Sequence, residues 1–161
     1  YINSYTSHYL LLELEIGKEY NIEINPRVSN KTEWSFYSLS DLHGGINIMV
    51  PIFREILKDK PDFLIVNGDL VNNGNESEYM VISELFNSYP VPIYTSIGNH
   101  DIWGEGRKFY PSFFGPFYYS FIYKNAAFIV LDDSSGLIGQ SQFEWFENEL
   151  KHVSADLIFV I

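Results

Sequence analysis

Residues 91–101 read VPIYTSIGNHD, and the fold turns on how this stretch is understood. Val91–Ile97 has the apolar, β-branched and aromatic character of a buried strand. It stops at Gly98, and Asn99, His100 and Asp101 follow without a break. An amide, an imidazole and a carboxylate at the end of a buried strand need partners to be useful. The same punctuation occurs twice upstream. The apolar run Asp62–Val66 is followed by Asn67-Gly68-Asp69-Leu70, and the short run Trp34–Leu39 by Ser40-Asp41-Leu42-His43-Gly44-Gly45.

Asp41, Asp69 and Asn99 are separated by 28 and 30 residues. Each interval matches one strand–helix–strand unit of about 30 residues. Helical spacing fills both gaps. Ile46–Lys58 has Ile46, Ile48, Met49, Ile52, Phe53, Ile56 and Leu57 at helical spacing, with Pro51 expected in its first turn, and Ser77–Phe86 does the same with Tyr79, Val81, Ile82, Leu85 and Phe86. Alternating strands and helices imply a parallel sheet whose strand ends open on one edge, where ligands bind. The three polar clusters should therefore meet in space. Asp41 and His43 are two apart, so an extended segment would aim both side chains the same way. Gly68 permits a sharp turn before Asp69. Carboxylate, imidazole and amide donors together suit Mn, Fe or Zn better than Ca or Mg.

Downstream, Tyr118–Tyr123 and Ala126–Leu131 read as a hairpin across Lys124-Asn125, Gln142–Lys151 as an amphipathic helix and Asp156–Ile161 as a last strand. Upstream, residues 9–28 alternate in two runs, Leu10 to Ile16 and Tyr20 to Ile24, around Gly17-Lys18, which reads as a β-hairpin. The expected organisation is a hairpin over 1–30, the end of an upstream β domain, and a second unit over 31–161. Both chain ends read as cuts in a longer protein.

Composition excludes several classes. A net charge of −11 is the wrong sign for gripping nucleic acid. Cysteine is absent, so neither disulfides nor thiolate ligands are available. No apolar run approaches the ~20 residues of a membrane-spanning helix. Hydrophobic residues make up 46% of the chain, enough for a core. Compartment and partner proteins leave no signature.

The ordered set Asp41-Leu42-His43, Gly68-Asp69 and Gly98-Asn99-His100-Asp101 resembles the calcineurin-like metallophosphoesterase superfamily, in the branch of purple acid phosphatases and cyclic-nucleotide phosphodiesterases. Phe114–Phe121 and Gln142–Trp145 add to the likeness. Any one motif is weak; three in order are specific. The resemblance implies a four-layer α/β/β/α fold, a β-sandwich flanked by helices, here truncated at the C-terminus. It implies two divalent or trivalent metal ions and a small phosphomonoester or phosphodiester substrate. Asp41 and His43 would hold one ion, Asp69 would bridge, Asn99 would hold the other, His100 would protonate the leaving oxygen or steady the equatorial phosphate oxygens, and Asp101 would orient His100. The family's further histidines have no counterpart after His152, so weak turnover by this chain is expected. A non-catalytic scaffold is the alternative.

Other polar residues carry less. His8 and His152 stand alone and read as surface histidines. Gly44-Gly45 admits two readings, phosphate cradle or loop, and Asn72-Asn73-Gly74 reads as a plain turn. Asp132-Asp133 follows a strand and could reach the site edge, though a solvated strand end is the commoner case. Trp103, Tyr110 and Phe114 could wall a pocket or pack in the core.

Overall fold

The computed structural model describes residues 2–5, 10–12, 14–20 and 32–161. Near the N-terminus, β1 (Ile2–Tyr5) pairs antiparallel with β2 (Leu10–Leu12). Leu10–Leu12 pairs backward in sequence, Leu14–Ile16 is not strand, and the expected partner run Tyr20–Ile24 lies outside the described residues except for Tyr20.

From Phe36 the chain alternates as expected. The elements are β3 (Phe36–Ser40), α1 (Ile46–Lys58), β4 (Phe63–Asn67), α2 (Glu76–Asn87) and β5 (Ile93–Ser96). The three strands form a parallel sheet in the order β3-β4-β5, with Ser40 level with Asn67 and Asn67 level with Ser96. All three therefore end on one edge. A second sheet follows, built from β6 (Tyr119–Tyr123), β7 (Ala126–Val130) and β8 (Leu157–Val160). β6 and β7 are the expected hairpin, and β8 lies parallel to β7 after the crossover helix α4 (Gln140–His152).

The period of two in β4 explains the layering. Leu64 and Val66 face α1 and α2, packing with Met49, Phe53, Ile56, Tyr79, Ile82 and Phe86. Phe63 and Ile65 face the second sheet and pack with Tyr123 and Phe128. The Phe63 and Phe128 rings meet edge to face at 5.3 Å, and Phe121 stacks on Phe128 at 4.8 Å. Tyr119 ties the sheets together with its hydroxyl, which donates to the Thr95 carbonyl at 2.8 Å. On the far side of the second sheet, Ser120 bonds Glu149 and Tyr118 meets Trp145, so α4 forms the outer layer. The α/β/β/α order expected from the resemblance is present.

Two local expectations need correction. Pro51 is not in the first turn of α1 but in its second. It is accommodated because Asn47, whose carbonyl loses its helical partner, is exposed. The helix α3 (Gly106–Phe114) was not foreseen, because Gly106 opens it and Pro111 interrupts it. Packing overrides both: Tyr110 and Phe114 are buried in the helix-side core. Of the three aromatics left open by sequence, these two are core and only Trp103 is exposed.

Candidate metal centre

The carboxyl ends of β3, β4 and β5 and the loop after β7 surround a cavity of about 460 Å³. Asp41, Asp69, Asn99 and Asp133 line it. Convergence of the three motif loops is thus observed. The backbone that achieves it is unusual. Asp41, His43 and Asp69 have φ values of +58°, +45° and +52°, the left-handed region that non-glycine residues avoid. The sequence argument that Asp41 and His43 lie in an extended segment is therefore wrong in its geometry. Both adopt left-handed backbone instead, at a cost of order 1–3 kcal/mol each; Asp41 lines the cavity, and His43 lies beside it, 3.7 Å from Asp41 and 3.9 Å from Asp69.

Cross-loop hydrogen bonds hold this conformation. The His43 N–H donates to the Asp69 carbonyl at 2.8 Å and the Gly44 N–H to the Leu70 carbonyl at 3.0 Å. Gly45 donates to the Leu42 carbonyl, so both glycine amides are consumed internally and the phosphate-cradle reading fails. The second and third loops press still closer. A Cβ on Gly68 would lie 2.8 Å from the Gly98 Cα, and one on Gly98 would lie 2.3 Å from the Asp69 nitrogen. Glycine is required at both positions because backbone meets backbone there.

The side chains follow. Asp69 accepts the His100 backbone N–H at 2.9 Å on Oδ1, and its Oδ2 lies 3.9 Å from His43 Nε2. His43 Nε2 also lies 3.7 Å from Asp41 Oδ1, while Asp41 Oδ2 accepts the Ser40 hydroxyl at 2.6 Å. The His43 and His100 rings meet edge to face with centroids 4.4 Å apart, and Trp103 covers His100 at 4.0 Å. Asn99 is exposed on the cavity wall.

Asp101 does something other than orient the His100 ring. Its carboxylate accepts the Gly98 N–H at 2.8 Å and the Val71 N–H at 3.1 Å, pinning the second loop to the third. Burial pushes its carboxyl up to about 6, against the opposing pull of those backbone donors. The ring of His100 is held by the backbone of Asn72 instead: Nδ1 lies 2.9 Å from that carbonyl oxygen. The turn Asn72–Asn75 is fixed in turn by Glu78, which accepts from the Asn73 N–H at 2.9 Å and from its side-chain amide at 3.1 Å. Sequence reasoning missed this role because a carbonyl has no residue signature.

These strand-end carboxylates, imidazoles and amide, arranged on this sandwich, agree with the comparisons. A family model described as calcineurin-like phosphoesterase matches residues 35–157. The chain belongs to the calcineurin-like phosphoesterase family. Among relatives of this family, a protein named "Probable cyclic nucleotide phosphodiesterase" from Fibrobacter succinogenes is 24% identical over 119 residues, covering 71% of this chain and 46% of that protein. A "Probable glycerophosphodiester phosphodiesterase" from Arcobacter nitrofigilis is 38% identical over 66 residues, 40% of this chain and 23% of the relative. The chain thus spans less than half the length of these relatives. A purple acid phosphatase from yellow lupin (Lupinus luteus) seeds shares the fold, with a TM-score of 0.55, 20% identity, and coverage of 79% of this chain and 30% of that one.

The calcineurin-like site has a second wall that the motifs do not announce. Asp133 lines the cavity, whereas its neighbour Asp132 turns inward to Arg107, 2.7 Å away. Burial pushes the Asp132 carboxyl up, but Arg107 and Ser134 more than reverse this and leave it below the ordinary carboxylate range. Gln142 on α4 clamps the Asp132 backbone from both sides, accepting its N–H and donating to its carbonyl. Of the pair weighed in the sequence, one carboxylate is structural and the other faces the site. His152 bonds the Asn148 carbonyl on exposed α4, the surface role expected of it, and His8 lies outside the described residues.

Proposed function

We propose that the protein is a metal-dependent hydrolase of phosphodiesters or phosphomonoesters, working with two metal ions. The observation that carries this reading is the convergence of three motif loops on one cavity, with three candidate ligands held in left-handed backbone. The donor set fits Mn, Fe or Zn. Asp41 and His43 would hold one ion, Asn99 the other, and Asp69 both. When bound, such ions supply Lewis acidity at the phosphoryl group.

The chain's own residues supply positioning and proton transfer. Asp69 is held by the His100 N–H, so its second oxygen keeps its aim at His43. His100 is tethered through Nδ1 to the Asn72 carbonyl, which leaves Nε2 to carry a proton to the departing alkoxide. Trp103 shields one face of that ring from water. The names of the bacterial relatives favour a diester substrate, and the acidic cavity, with Asp133 on its far wall, favours a monoanionic diester over a dianionic monoester.

One observation supports the rival, a non-catalytic scaffold. Of the four ligands the reading assigns, only Asp69 and Asn99 would serve the second ion, a sparse set, although Asp133 also lines the cavity. The deciding experiment measures metal content and hydrolysis of p-nitrophenyl phosphate and bis-p-nitrophenyl phosphate with saturating Mn²⁺, on this chain and on one extended downstream. The expected result is weak or no turnover by this chain and clear turnover, faster on the diester, by the longer one. In that active form His100→Ala is expected to lower kcat about 10²–10⁴-fold. Metal-free, inactive protein in both forms makes the scaffold the correct reading.

A further inference from the structure

Glu78 reaches away from its own helix. It is the third residue of α2, where an acid commonly turns back to accept the N–H of the cap residue. That bond is present, from the Asn75 N–H to Oε2, but at 3.4 Å it is the longest of the three that Glu78 accepts. The shorter two come from Asn73: its backbone N–H lies 2.9 Å from Oε2 and its side-chain amide 3.1 Å from Oε1. Capping the helix needs neither of these.

The Asn73 N–H and the Asn72 carbonyl belong to one peptide group. That group is planar and trans, so its N–H and C=O point in opposite directions and fixing one end aims the other. The far end is the carbonyl that accepts the ring proton of His100 Nδ1 at 2.9 Å. A carboxylate, a peptide and an imidazole therefore stand in one hydrogen-bonded row. Ionised acceptors make the stronger bonds, and each bond in a row polarises the next, so the Glu78 charge makes the Asn72 carbonyl a better acceptor.

The surroundings leave this task to Glu78. Val71, before the peptide, is pinned by the Asp101 carboxylate. Gly74, after it, is wedged so tightly that a Cβ would lie 2.2 Å from the Trp103 carbonyl. Asn72 and Asn73 between them are exposed, so packing does not set the tilt of their shared peptide. Tyr79, next to Glu78, is buried and donates its hydroxyl to the Asp101 carbonyl at 2.6 Å, which fixes the start of α2 against the His100 loop.

We propose that Glu78 is a positioning residue for His100, acting through the Asn72–Asn73 peptide to hold the ring with Nδ1 as donor and Nε2 left for the substrate. No proton passes along the row; the peptide transmits orientation and polarisation. The inference rests on the reading of His100 as proton donor in ester hydrolysis, but the hold on the ring can be measured without turnover.

The first arm of the test follows the His100 ring nitrogens by long-range ¹H–¹⁵N correlation in this chain, metal-free, at alkaline pH where the imidazole is neutral. The parent is expected to show the Nδ1–H form. Glu78→Ala is expected to shift the ring toward a mixture with the Nε2–H form, and so is Glu78→Asp, which keeps the first-turn charge on a shorter arm. Glu78→Gln, whose amide oxygen can still accept the Asn73 N–H, is expected to keep the parent's form. Glu76→Ala removes the other first-turn acid, leaves the Asn73 bonds in place and is expected to change nothing. The second arm measures hydrolysis of glycerophosphoethanolamine, whose alkoxide leaving group needs the proton, by the extended form. There Glu78→Ala is expected to lower kcat about tenfold with KM within about twofold, and Glu78→Gln to recover most of the loss. Thermal unfolding checks that each variant folds. The proposal is overturned by a parent ring in the Nε2–H form, by folded Glu78→Ala or Glu78→Asp chains that keep the parent's tautomer or kcat, or by the same losses in Glu76→Ala. An extended form without turnover overturns the hydrolase reading instead, and the tautomer then decides the role of Glu78 alone.

Discussion

Gly98 illustrates how much of the site rests on single residues. A Cβ there would meet the Asp69 nitrogen and Oδ1, both at 2.3 Å, and neither can move without disturbing a proposed metal ligand. Gly98→Ala is expected to destabilise the protein by ~1–3 kcal/mol, as overpacking does. It should also weaken metal binding, and urea unfolding with metal titration reads both. Asp101 acts at the same scale through pH. Its carboxyl lies near 6 in the fold against 3.8 ordinarily, because burial disfavours its charge. The folded state therefore holds a proton across that window which the unfolded chain has released. The stability it contributes is full below 3.8 and falls as pH rises through about 6. In metal-free protein, urea midpoints measured from pH 4 to 7 should lose this slope in Asp101→Asn.

At the scale of elements, the wall opposite the motif loops depends on α3 and α4 gripping the loop after β7. Arg107 spans the gap with one nitrogen on Asp132 and another 3.0 Å from the Ser134 hydroxyl, its guanidinium lying over Phe117. Half-exposed, it is screened, so Arg107→Ala should cost only ~1 kcal/mol. The expected effect on activity of the extended form is larger in KM than in kcat, because Asp133 loses its support while His100 keeps its own. The element α3 itself was invisible in sequence. Gly106 and Pro111 argue against a helix locally, and only burial of Tyr110 and Phe114 outweighs them. By contrast β4 was legible, since the four buried apolar residues Phe63–Val66 make a run too short for a helix and are punctuated at once by Asn67-Gly68.

The whole molecule is held by two cores that share one central strand. Phe63 stands at the middle of the inter-sheet cluster, fully buried and in ring contact with Trp34, Phe36, Tyr94, Phe121, Tyr123 and Phe128. Phe63→Ala should cost about 3–5 kcal/mol, read as a lower denaturation midpoint. Because the cavity is lined from both sheets, loosening their contact should also weaken metal binding. A bound ion should recover part of the loss, as any ligand of the native state does.

The sequence alone determined the order of strands and helices, the parallel sheet and the gathering of Asp41, His43, Asp69 and Asn99 at one edge. Those follow from periodicity and spacing, which are properties of residues near one another along the chain. The resemblance also singled out His100 and Asp101, but gave Asp101 the task of orienting the His100 ring, whereas its carboxylate bonds the backbone of two loops. Tertiary structure decided which atoms meet: the left-handed turns at the candidate ligands, the Asn72 carbonyl on His100, the Asp101 pin to Val71 and the Arg107–Asp132 bridge. The physical reason is that these contacts join loops and helices some 25–31 residues apart, where close backbone approach and burial set the conformation and local preference does not.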